Sequence, residues 1–250
     1  MSTSRDELPR ALILAGGRGL RLQPFTFSIP KPLIPLGERA MLEILVRQLL
    51  AAGVPRIFVA LNYLARLIRV YLRNLEEQEG IHCACLQEDE PLGTAGAMGL
   101  LPAEAETTLV CNADVLTDLR WADLLAFHRR QEADLTIAGV RHVQTLPYGS
   151  LQTDERTGFQ GWAERQTLCR LVSAGIYVAG PRAVGAVVPG ERIDMPELAR
   201  RVREGGGRVA VFEHAGTWFD VGDWPQYERA AAAFASNPGL FVEPFLEVRS

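Results

Sequence analysis

The sequence predicts an α/β fold of three layers, in which helices cover both faces of a mixed, mostly parallel sheet. Up to residue 131, short apolar runs alternate with stretches of helical period, and strands that alternate with helices in this way pair in parallel. From residue 133 the strand-like runs follow one another with short connections, which predicts the mixed part. The chain of 250 residues, 48% hydrophobic and 22% charged, is long enough to bury the core that such a sheet needs.

The elements of the first 131 residues have clear boundaries. The apolar run at 11–14 stops at Gly16 and Gly17, as a buried strand does where it opens into a loop. Apolar residues from Met41 to Leu50 recur at helical spacing, and Gly53 ends that helix. The other predicted strands are 56–61, 81–86 and 107–111, and the other helices are 63–77, 94–101 and one from 118 or 120 to 131.

The rest of the chain begins with four predicted strands, at 133–140, 149–153, 158–163 and 171–178. Asp194, followed three residues later by Glu197, has the form of a capping box, so we predict a helix from there to residue 204. Strands at 208–212 and 217–221 and a helix from Pro225 follow. Residues 1–9 are polar and expected to fray, and the tail from Asn237 is apolar enough to pack.

Charge and composition exclude several classes of protein. The net charge of −4 argues against a dedicated nucleic-acid-binding protein, because no basic excess offsets a phosphate backbone. Neither a cleavable signal nor an apolar run of about 20 residues occurs, so we expect no secretion and no membrane span, and the cytoplasm is the default. Cys83 and Cys85 are expected to be buried thiols rather than metal ligands. The tryptophans at 121, 162, 218 and 224 are expected to pack.

The loop after the first strand, residues 15–35 and here called the opening loop, concentrates glycine and positive charge. It contains Gly16, Gly17 and Gly19, followed by Arg21 and Lys31. Glycines let backbone N–H groups approach an anion, and turns that align such groups bind phosphate. A tight turn followed by a solvated basic loop is the alternative, but the whole stretch favours a phosphate site.

Two common phosphate loops are excluded by spacing. A dinucleotide-binding fingerprint needs G-x-G-x-x-G that opens into a helix, whereas prolines at 24, 30, 32 and 35 follow Gly19 here. A P-loop needs a glycine before its lysine and a hydroxyl after it, and Lys31 has neither. A nucleotide would therefore be bound in another way.

The opening loop resembles the sugar-phosphate nucleotidyltransferases, whose pattern is G-G-x-G-x-R-L-x-P-x-T-x-x-x-P-K-P-L-x-P. The matching positions are Gly16, Gly17, Gly19, Arg21, Leu22, Pro24, Thr26, Pro30, Lys31, Pro32, Leu33 and Pro35. Leu20 departs from the pattern, since the family usually has Thr there. The resemblance, closest to mannose-1-phosphate and heptose-1-phosphate guanylyltransferases, implies the Rossmann-like fold of nucleotide-diphospho-sugar transferases. It also implies a nucleotide site that includes Leu14, Ala15, Gly16, Gly17 and Gly19.

A second motif, EDEPLGTAG at 88–96, follows the third strand. It is either a solvated acidic turn near a helix N-terminus or, by resemblance, the loop that binds the base. In the second case Glu88 faces the base, and Pro91, Gly93 and Thr94 shape its pocket. A carboxylate only accepts hydrogen bonds, so it suits guanine, with donors at N1 and the 2-amino group. GTP is therefore favoured, and a uridylyl- or thymidylyltransferase is the alternative.

Two aspartates at predicted strand ends are metal candidates, Asp114 in Asn-Ala-Asp and Asp220 in Trp-Phe-Asp-Val-Gly. An aspartate at a strand end is more often a turn or cap residue. The family resemblance implies that both hold Mg²⁺, an ion that prefers few carboxylates together with waters and phosphate oxygens. Ala113 replaces the usual glycine. We expect Asp223 to cap the next helix.

Three short elements resemble the sugar-phosphate site of the family. They contain Tyr148 and Gly149, then Glu164 and Arg165, then Ser173. By resemblance Glu164 accepts from sugar hydroxyls, Gly149 allows close approach of the sugar, and Arg165 neutralises the 1-phosphate. Arg165 stands for a lysine and Ser173 for an asparagine, so the identity of the sugar stays open.

Together these motifs imply an enzyme that transfers a nucleotidyl group from a nucleoside triphosphate to a sugar 1-phosphate, with Mg²⁺ as cofactor. Arg21, Lys31, Asp114 and Arg165 are the expected catalytic residues. We expect one domain over 1–250, with a nucleotide half at 1–131, a sugar half at 132–250 and no C-terminal β-helix. A homo-oligomer is left open, as is a non-catalytic relative that only binds nucleotide-sugars. A glycosyltransferase would need a D-x-D motif, of which Asn112-Ala113-Asp114 is only half.

Overall fold

The computed structural model describes residues 9–104 and 106–242, so the predictions for residues 1–8 and for the end of the tail lie outside the described residues. The strands are β1 (Arg10–Leu14), β2 (Pro35–Leu36), β3 (Arg39–Ala40), β4 (Arg56–Leu61), β5 (Ala84–Gln87), β6 (Thr108–Asn112), β7 (Val115–Thr117), β8 (Leu135–Thr145), β9 (Ser150–Thr153), β10 (Phe159–Ala163), β11 (Thr167–Ala179), β12 (Val209–His214) and β13 (Trp218–Asp220). The α-helices are α1 (Met41–Ala51), α2 (Ala65–Glu79), α3 (Gly93–Gly96), α4 (Trp121–Arg130), α5 (Pro181–Gly185), α6 (Met195–Glu204), α7 (Trp224–Ser236) and α8 (Pro238–Phe241).

Seven strands form the central sheet, in the order β12-β8-β11-β6-β1-β4-β5. The strands β6, β1, β4 and β5 pair in parallel, and β12 pairs in parallel with β8. β11 runs antiparallel to both of its neighbours, β6 and β8. The mixed, mostly parallel sheet is therefore confirmed, and β11 is the strand that makes it mixed.

Side chains of β1 enter cores on opposite faces of the sheet. Ile13 packs with apolar residues of α1, α2 and α4, whereas Leu12 packs with residues 95–101, α5 and α6. Because successive side chains of a strand point to opposite faces, helices cover the sheet on both sides and the three layers are confirmed. A third core joins the opening loop to α7 and α8; it includes Leu22, Leu36, Leu116, Val221, Phe234 and Phe241.

Two predicted strand boundaries and one predicted helix cap were wrong. Two strands extend well past their predicted ends, β8 to Thr145 and β11 back to Thr167, because their outer residues are mostly exposed and show no regular apolar alternation. This exposed ribbon ends in the antiparallel β9–β10 hairpin. The predicted capping box is also wrong, because the Asp194 side chain makes no capping hydrogen bond to α6. Glu197 instead pairs with Arg200 and Arg201.

The tryptophans differ in their exposure, which the sequence did not predict. Trp121 is fully buried, whereas Trp162 is 60% exposed on β10, so the packing prediction for Trp162 was wrong. Cys83 and Cys85 are half-buried and free. Within the part of the chain that the structure describes, no helix is both long and apolar enough to cross a membrane.

Candidate active site

The opening loop leaves the carboxyl end of β1 and passes through three 3-10 turns, at Leu20–Leu22, Phe25–Phe27 and Lys31–Leu33. Gly19 has a φ of +60°, and a Cβ there would lie 3.0 Å from Thr26 Cγ2 and 3.2 Å from Lys31 Cβ. The Thr26 hydroxyl donates to Gly19 O over 2.9 Å. Only glycine fits this close approach at positive φ. The approach places the Lys31 side chain against Gly19, near the start of the opening loop.

Lys31 forms an ion pair with Asp114. The Lys31 side chain is only 9% exposed, and that of Asp114 is 25% exposed. Ala113 N donates to Leu14 O over 3.1 Å, so the turn that carries Asp114 lies directly beside the end of β1. Asp114 Oδ1 is buried and has no hydrogen-bond partner among the described atoms. A buried carboxylate oxygen without a partner is costly, so this atom points to a ligand site.

Asp220 is brought to Asp114 by the two-stranded ribbon β7–β13. Asp220 pairs with Val115 in that ribbon, and Val221 N donates to Asp114 O over 2.9 Å. Burial raises the pKa of Asp220, and the charge of Asp114 raises it further, while Lys31 and Arg21 lower it. Two carboxylates therefore share one site with two cations.

Arg21 completes this group from the opening loop. A Cβ at Gly222 would lie 2.8 Å from Arg21 Nη2, so the guanidinium rests against the backbone two residues after Asp220. Four side chains predicted from three separate motifs thus meet beyond the carboxyl ends of the parallel strands: Arg21, Lys31, Asp114 and Asp220. Open α/β sheets bind their ligands at that edge.

The donor set fits a Mg²⁺ ion that also binds phosphates. Among residues 9–104 and 106–242, no cluster of three or more His, Cys, Asp or Glu residues could hold a metal. Mg²⁺ usually keeps several waters and takes only one or two carboxylates together with substrate phosphates, which Asp114 and Asp220 can provide. Asp223 accepts from Gln226 N over 3.0 Å at the start of α7, so its predicted role as a helix cap is confirmed.

The predicted base-binding carboxylate, Glu88, lies at the same edge of the sheet. It is only 6% exposed, and its Oε2 accepts from Leu92 N over 3.1 Å. A Cβ at Gly16 would lie 3.4 Å from Glu88 Oε1, which places that oxygen against the opening loop. Burial raises the pKa of Glu88, although the hydrogen bond from Leu92 N–H lowers it.

Asn62 and Tyr63, which follow β4, were missed by the sequence reasoning. The Asn62 amide donates to Glu88 O over 2.9 Å, and a Cβ at Gly16 would lie 3.2 Å from Asn62 Cβ. The Tyr63 hydroxyl donates to Thr26 O over 3.1 Å, and its ring lies under the Arg18 guanidinium. Their position after a parallel strand, between two motif-bearing strands, was the signal that could have found them.

The remaining predicted nucleotide residues differ in their surroundings. Leu14 pairs with β4 and β6, and Ala15 is buried and donates to Ala60 O over 2.9 Å. A Cβ at Gly17 would have no described atom within 4 Å, so the space around this glycine is open. Pro91 is exposed. Gly93 and Thr94 face the residues at the start of α6.

The predicted sugar residues are not all in one place. Tyr148, Gly149, Glu164 and Arg165 lie on or beside the β9–β10 hairpin, where Tyr148 is 79% exposed and Trp162 Nε1 donates to Glu164 Oε1. A Cβ at Gly149 would lie 2.5 Å from Trp162 Nε1, so the indole already occupies the space expected for the sugar. In the described part of the chain, no hydrogen bond or ion pair joins this hairpin to Asp114 or Asp220.

Ser173, by contrast, lies close to the phosphate edge. Ser173 Oγ lies 3.0 Å from Tyr177 Oη and accepts from Gly175 N over 3.3 Å. Gly175 has a φ of +71°, and a Cβ there would lie 2.6 Å from Asn112 Nδ2 at the end of β6. The pairing of β11 with β8 is irregular between Ser173 and Tyr177. Because Asn112 is two residues before Asp114, this irregular part of β11 lies beside the candidate site.

Comparison with known proteins identifies the family of this chain. Residues 10–237 match the nucleotidyl transferase family, and the chain belongs to that family. The resemblance inferred from the motifs is therefore confirmed. Individual relatives within the family match most of this chain.

A mannose-1-phosphate guanyltransferase from Yarrowia lipolytica is 33% identical over 95% of this chain and 69% of its own length. The enzyme of the same name from Neurospora crassa is 32% identical over 91% of this chain and 65% of its own length. The chain thus spans about two thirds of these relatives. Among solved structures, HddC from Yersinia pseudotuberculosis is 25% identical with a TM-score of 0.69, covering 91% of this chain and 100% of that one, and has also been solved with GMP-PN.

Proposed function

We propose that this chain transfers a nucleotidyl group from a nucleoside triphosphate, with GTP favoured, to a sugar 1-phosphate, and releases pyrophosphate. The observation that carries the proposal is the meeting of Arg21, Lys31, Asp114 and Asp220 at the carboxyl edge of the sheet. Cations beside paired carboxylates are what phosphate chemistry with Mg²⁺ needs. Mannose 1-phosphate is the favoured acceptor because two relatives are named for it, and a heptose 1-phosphate is the second choice.

In the proposed reaction a phosphate oxygen of the sugar 1-phosphate attacks the α-phosphorus in line, and the bond to the β-phosphate oxygen breaks. Such chemistry depends mainly on positioning and on neutralising charge. Arg21 and Lys31 would stabilise the leaving pyrophosphate, and Asp114 and Asp220 would hold Mg²⁺. When bound, Mg²⁺ supplies positive charge to the phosphates. Arg165 would hold the attacking phosphate.

The choice of guanine rests on Glu88. Its Oε1 lies against Gly16 while Oε2 is already oriented by Leu92 N–H, so the carboxylate presents acceptors at the candidate nucleotide site. Guanine offers the matching donors. The structure of HddC with GMP-PN and the guanyltransferase relatives support the same base.

The test is a panel of the four common nucleoside triphosphates with mannose, glucose and heptose 1-phosphates, with pyrophosphate release measured in Mg²⁺. We expect kcat/KM for GTP to exceed that for UTP and dTTP at least tenfold. A tenfold advantage for a pyrimidine nucleotide would assign the chain to the uridylyl- or thymidylyltransferases of the family.

A non-catalytic relative that binds nucleotide-sugars is the second candidate, favoured by the departures at Leu20, Ala113, Arg165 and Ser173. It predicts no pyrophosphate release with any pair of substrates, together with calorimetric binding of a nucleotide-sugar. A homo-oligomer and a cytoplasmic location stay predictions.

A further inference from the structure

Residues 191–195, before and at the start of α6, are closely joined to the loop that follows Glu88. Ile193 N donates to Leu92 O over 2.9 Å, and Ile193 O accepts from Ala95 N and Gly96 N over 3.0 and 3.1 Å. These backbone bonds connect segments about 100 residues apart in sequence. The two segments therefore behave as one packed unit.

Asp194 and Thr94 add a side-chain interlock to this unit. Asp194 Oδ1 accepts from Thr94 N over 2.8 Å and from Thr94 Oγ1 over 3.2 Å. Thr94 Oγ1 in turn accepts from Met195 N, the first residue of α6, over 2.9 Å. Thr94 thus supplies the helix cap that Asp194 was predicted to supply, and Asp194 is left to hold Thr94.

Glycines make this close contact sterically feasible. A Cβ at Gly93, whose φ is +78°, would lie 2.6 Å from Ile193 O and 2.7 Å from Asp194 Oδ1. A Cβ at Gly96 would lie 2.5 Å from Glu191 O. Because any side chain at these positions would separate the segments, the glycines of this loop serve the contact with α6.

We propose that Asp194 is a positioning residue for base recognition, acting through Thr94 and Leu92 on Glu88. Leu92 joins the two segments to Glu88, because its N–H donates to Glu88 Oε2 and its O accepts from Ile193 N, next to Asp194 in the chain. The inference rests on the proposed function, in which Glu88 accepts hydrogen bonds from guanine. It assigns part of the base specificity to a residue that does not touch the nucleotide.

The proposal predicts a specific kinetic effect. Without Asp194 the segment 92–96 loosens, and Glu88 loses the fixed orientation that lets it accept from both N1–H and the 2-amino group. ITP, which lacks the 2-amino group, should be affected less than GTP. The phosphate-binding groups Arg21, Lys31, Asp114 and Asp220 are not part of the interlock, so kcat should change little.

The experiment compares Asp194→Ala, Asp194→Asn and Thr94→Val with the wild type, using GTP and ITP. Steady-state pyrophosphate release and calorimetric binding of each nucleotide are measured in Mg²⁺. Asp194→Asn is the conservative variant, because its amide oxygen still accepts from Thr94. Glu197→Ala is the matched control, since Glu197 lies in the first turn of the same helix and pairs only with Arg200 and Arg201 in the described contacts.

We expect Asp194→Ala to raise KM for GTP at least tenfold with kcat within threefold, and to lower the GTP-to-ITP ratio of kcat/KM at least fivefold. Thr94→Val should move both values in the same direction, Asp194→Asn should recover most of the ratio, and Glu197→Ala should leave it unchanged. An unchanged ratio in Asp194→Ala, or equal losses of kcat for both nucleotides, overturns the proposal.

The outcome for the wild type separates this inference from the proposed function. A wild type that turns over GTP and ITP equally well overturns the inference alone. A wild type that releases no pyrophosphate contradicts the proposed function, and the binding ratio of GTP to ITP then decides the inference. If Asp194→Ala does not fold, Thr94→Val provides the same comparison.

Discussion

Glu88 is a buried carboxylate whose surroundings oppose its charge. Burial raises its pKa above the usual value, so the folded state binds a proton more tightly than the unfolded state does. The stabilisation by this proton is fully present below the unfolded pKa and is lost as the pH rises through the folded pKa. At neutral pH the carboxylate therefore reduces stability, and this is tolerated at a site where a ligand needs the charge.

Glu88→Gln should separate these two effects. Replacing the charge with an amide should raise the free energy of unfolding at pH 7.5 by about 1 kcal/mol, while KM for GTP rises at least tenfold. In the wild type, KM for GTP should rise as the pH falls through the raised pKa of Glu88, because a protonated carboxyl can accept fewer hydrogen bonds. Urea unfolding and KM between pH 4.5 and 8 measure both. A Gln variant with the same pH profile as the wild type would contradict the assignment.

Asp114 combines a structural and a functional role. Asp114→Ala removes a proposed Mg²⁺ ligand and leaves Lys31 charged and nearly buried. We expect turnover to fall at least 10³-fold and stability to fall by about 3 kcal/mol. The double variant Asp114→Ala/Lys31→Met should recover most of the stability without recovering turnover. Near-normal activity of Asp114→Ala would refute the metal assignment.

The ribbon β7–β13 is the element that sets the distance between the two metal candidates. At its far end, Thr117 Oγ1 donates to Thr217 O over 2.9 Å, and Asp118 Oδ1 accepts from Thr217 N over 2.8 Å. His214 Nε2 lies 2.9 Å from the same Asp118 oxygen. These side chains hold the register in which Asp220 pairs with Val115.

Asp118→Ala should therefore affect the site from a distance. We expect a loss of about 1–3 kcal/mol in the free energy of unfolding, because Thr217 N–H loses its acceptor, and a fall in kcat as Asp220 becomes less well positioned. Asp123→Ala is the control, since Asp123 is an exposed aspartate on α4; it should change stability by less than about 0.5 kcal/mol. Thermal unfolding and pyrophosphate release test the pair, and equal effects of the two variants would contradict the role of the ribbon.

In the whole molecule, stability and function lie at opposite ends of the central strands. Arg10 begins β1 and is fully buried, where its guanidinium donates to Thr108 Oγ1, Pro102 O and Glu104 O. Burial lowers its pKa. The candidate site begins about 13 Å away, past the other end of the same five-residue strand.

Arg10→Ala should lower stability without changing specificity. We expect a loss of about 3–5 kcal/mol, because the buried Thr108 hydroxyl and two partly buried carbonyls lose their donor, with KM for GTP unchanged at a temperature where the variant is folded. Arg120→Ala, at an exposed position immediately before α4, should leave stability nearly unchanged. Chemical denaturation and initial rates measure the two effects. A change in KM in the folded variant would show that the two ends are coupled.

The sequence by itself determined the fold class, the parallel first part and the family. The spacing of apolar residues identifies strands and helices from a short stretch of sequence. Motifs such as residues 16–35 and 88–96 are contiguous in the chain, so they can also be read without the structure. Elements whose residues are exposed, such as the outer parts of β8 and β11, carry no such signal and were too short in the prediction. The three-residue strand β7 was not predicted at all, although its pairing with β13 positions Asp220.

Only the tertiary structure decided which side chains meet. It pairs Lys31 with Asp114, gives the capping role expected of Asp194 to Thr94, and places the exposed Trp162 over Gly149. Each of these contacts joins residues that no local period relates. The first two also depend on how segments distant in sequence are placed, and the third depends on the register of the β9–β10 hairpin. The chemistry of a side chain can therefore be inferred from a motif, whereas its partner is set by packing, because distances between separate segments exist only once the chain is folded.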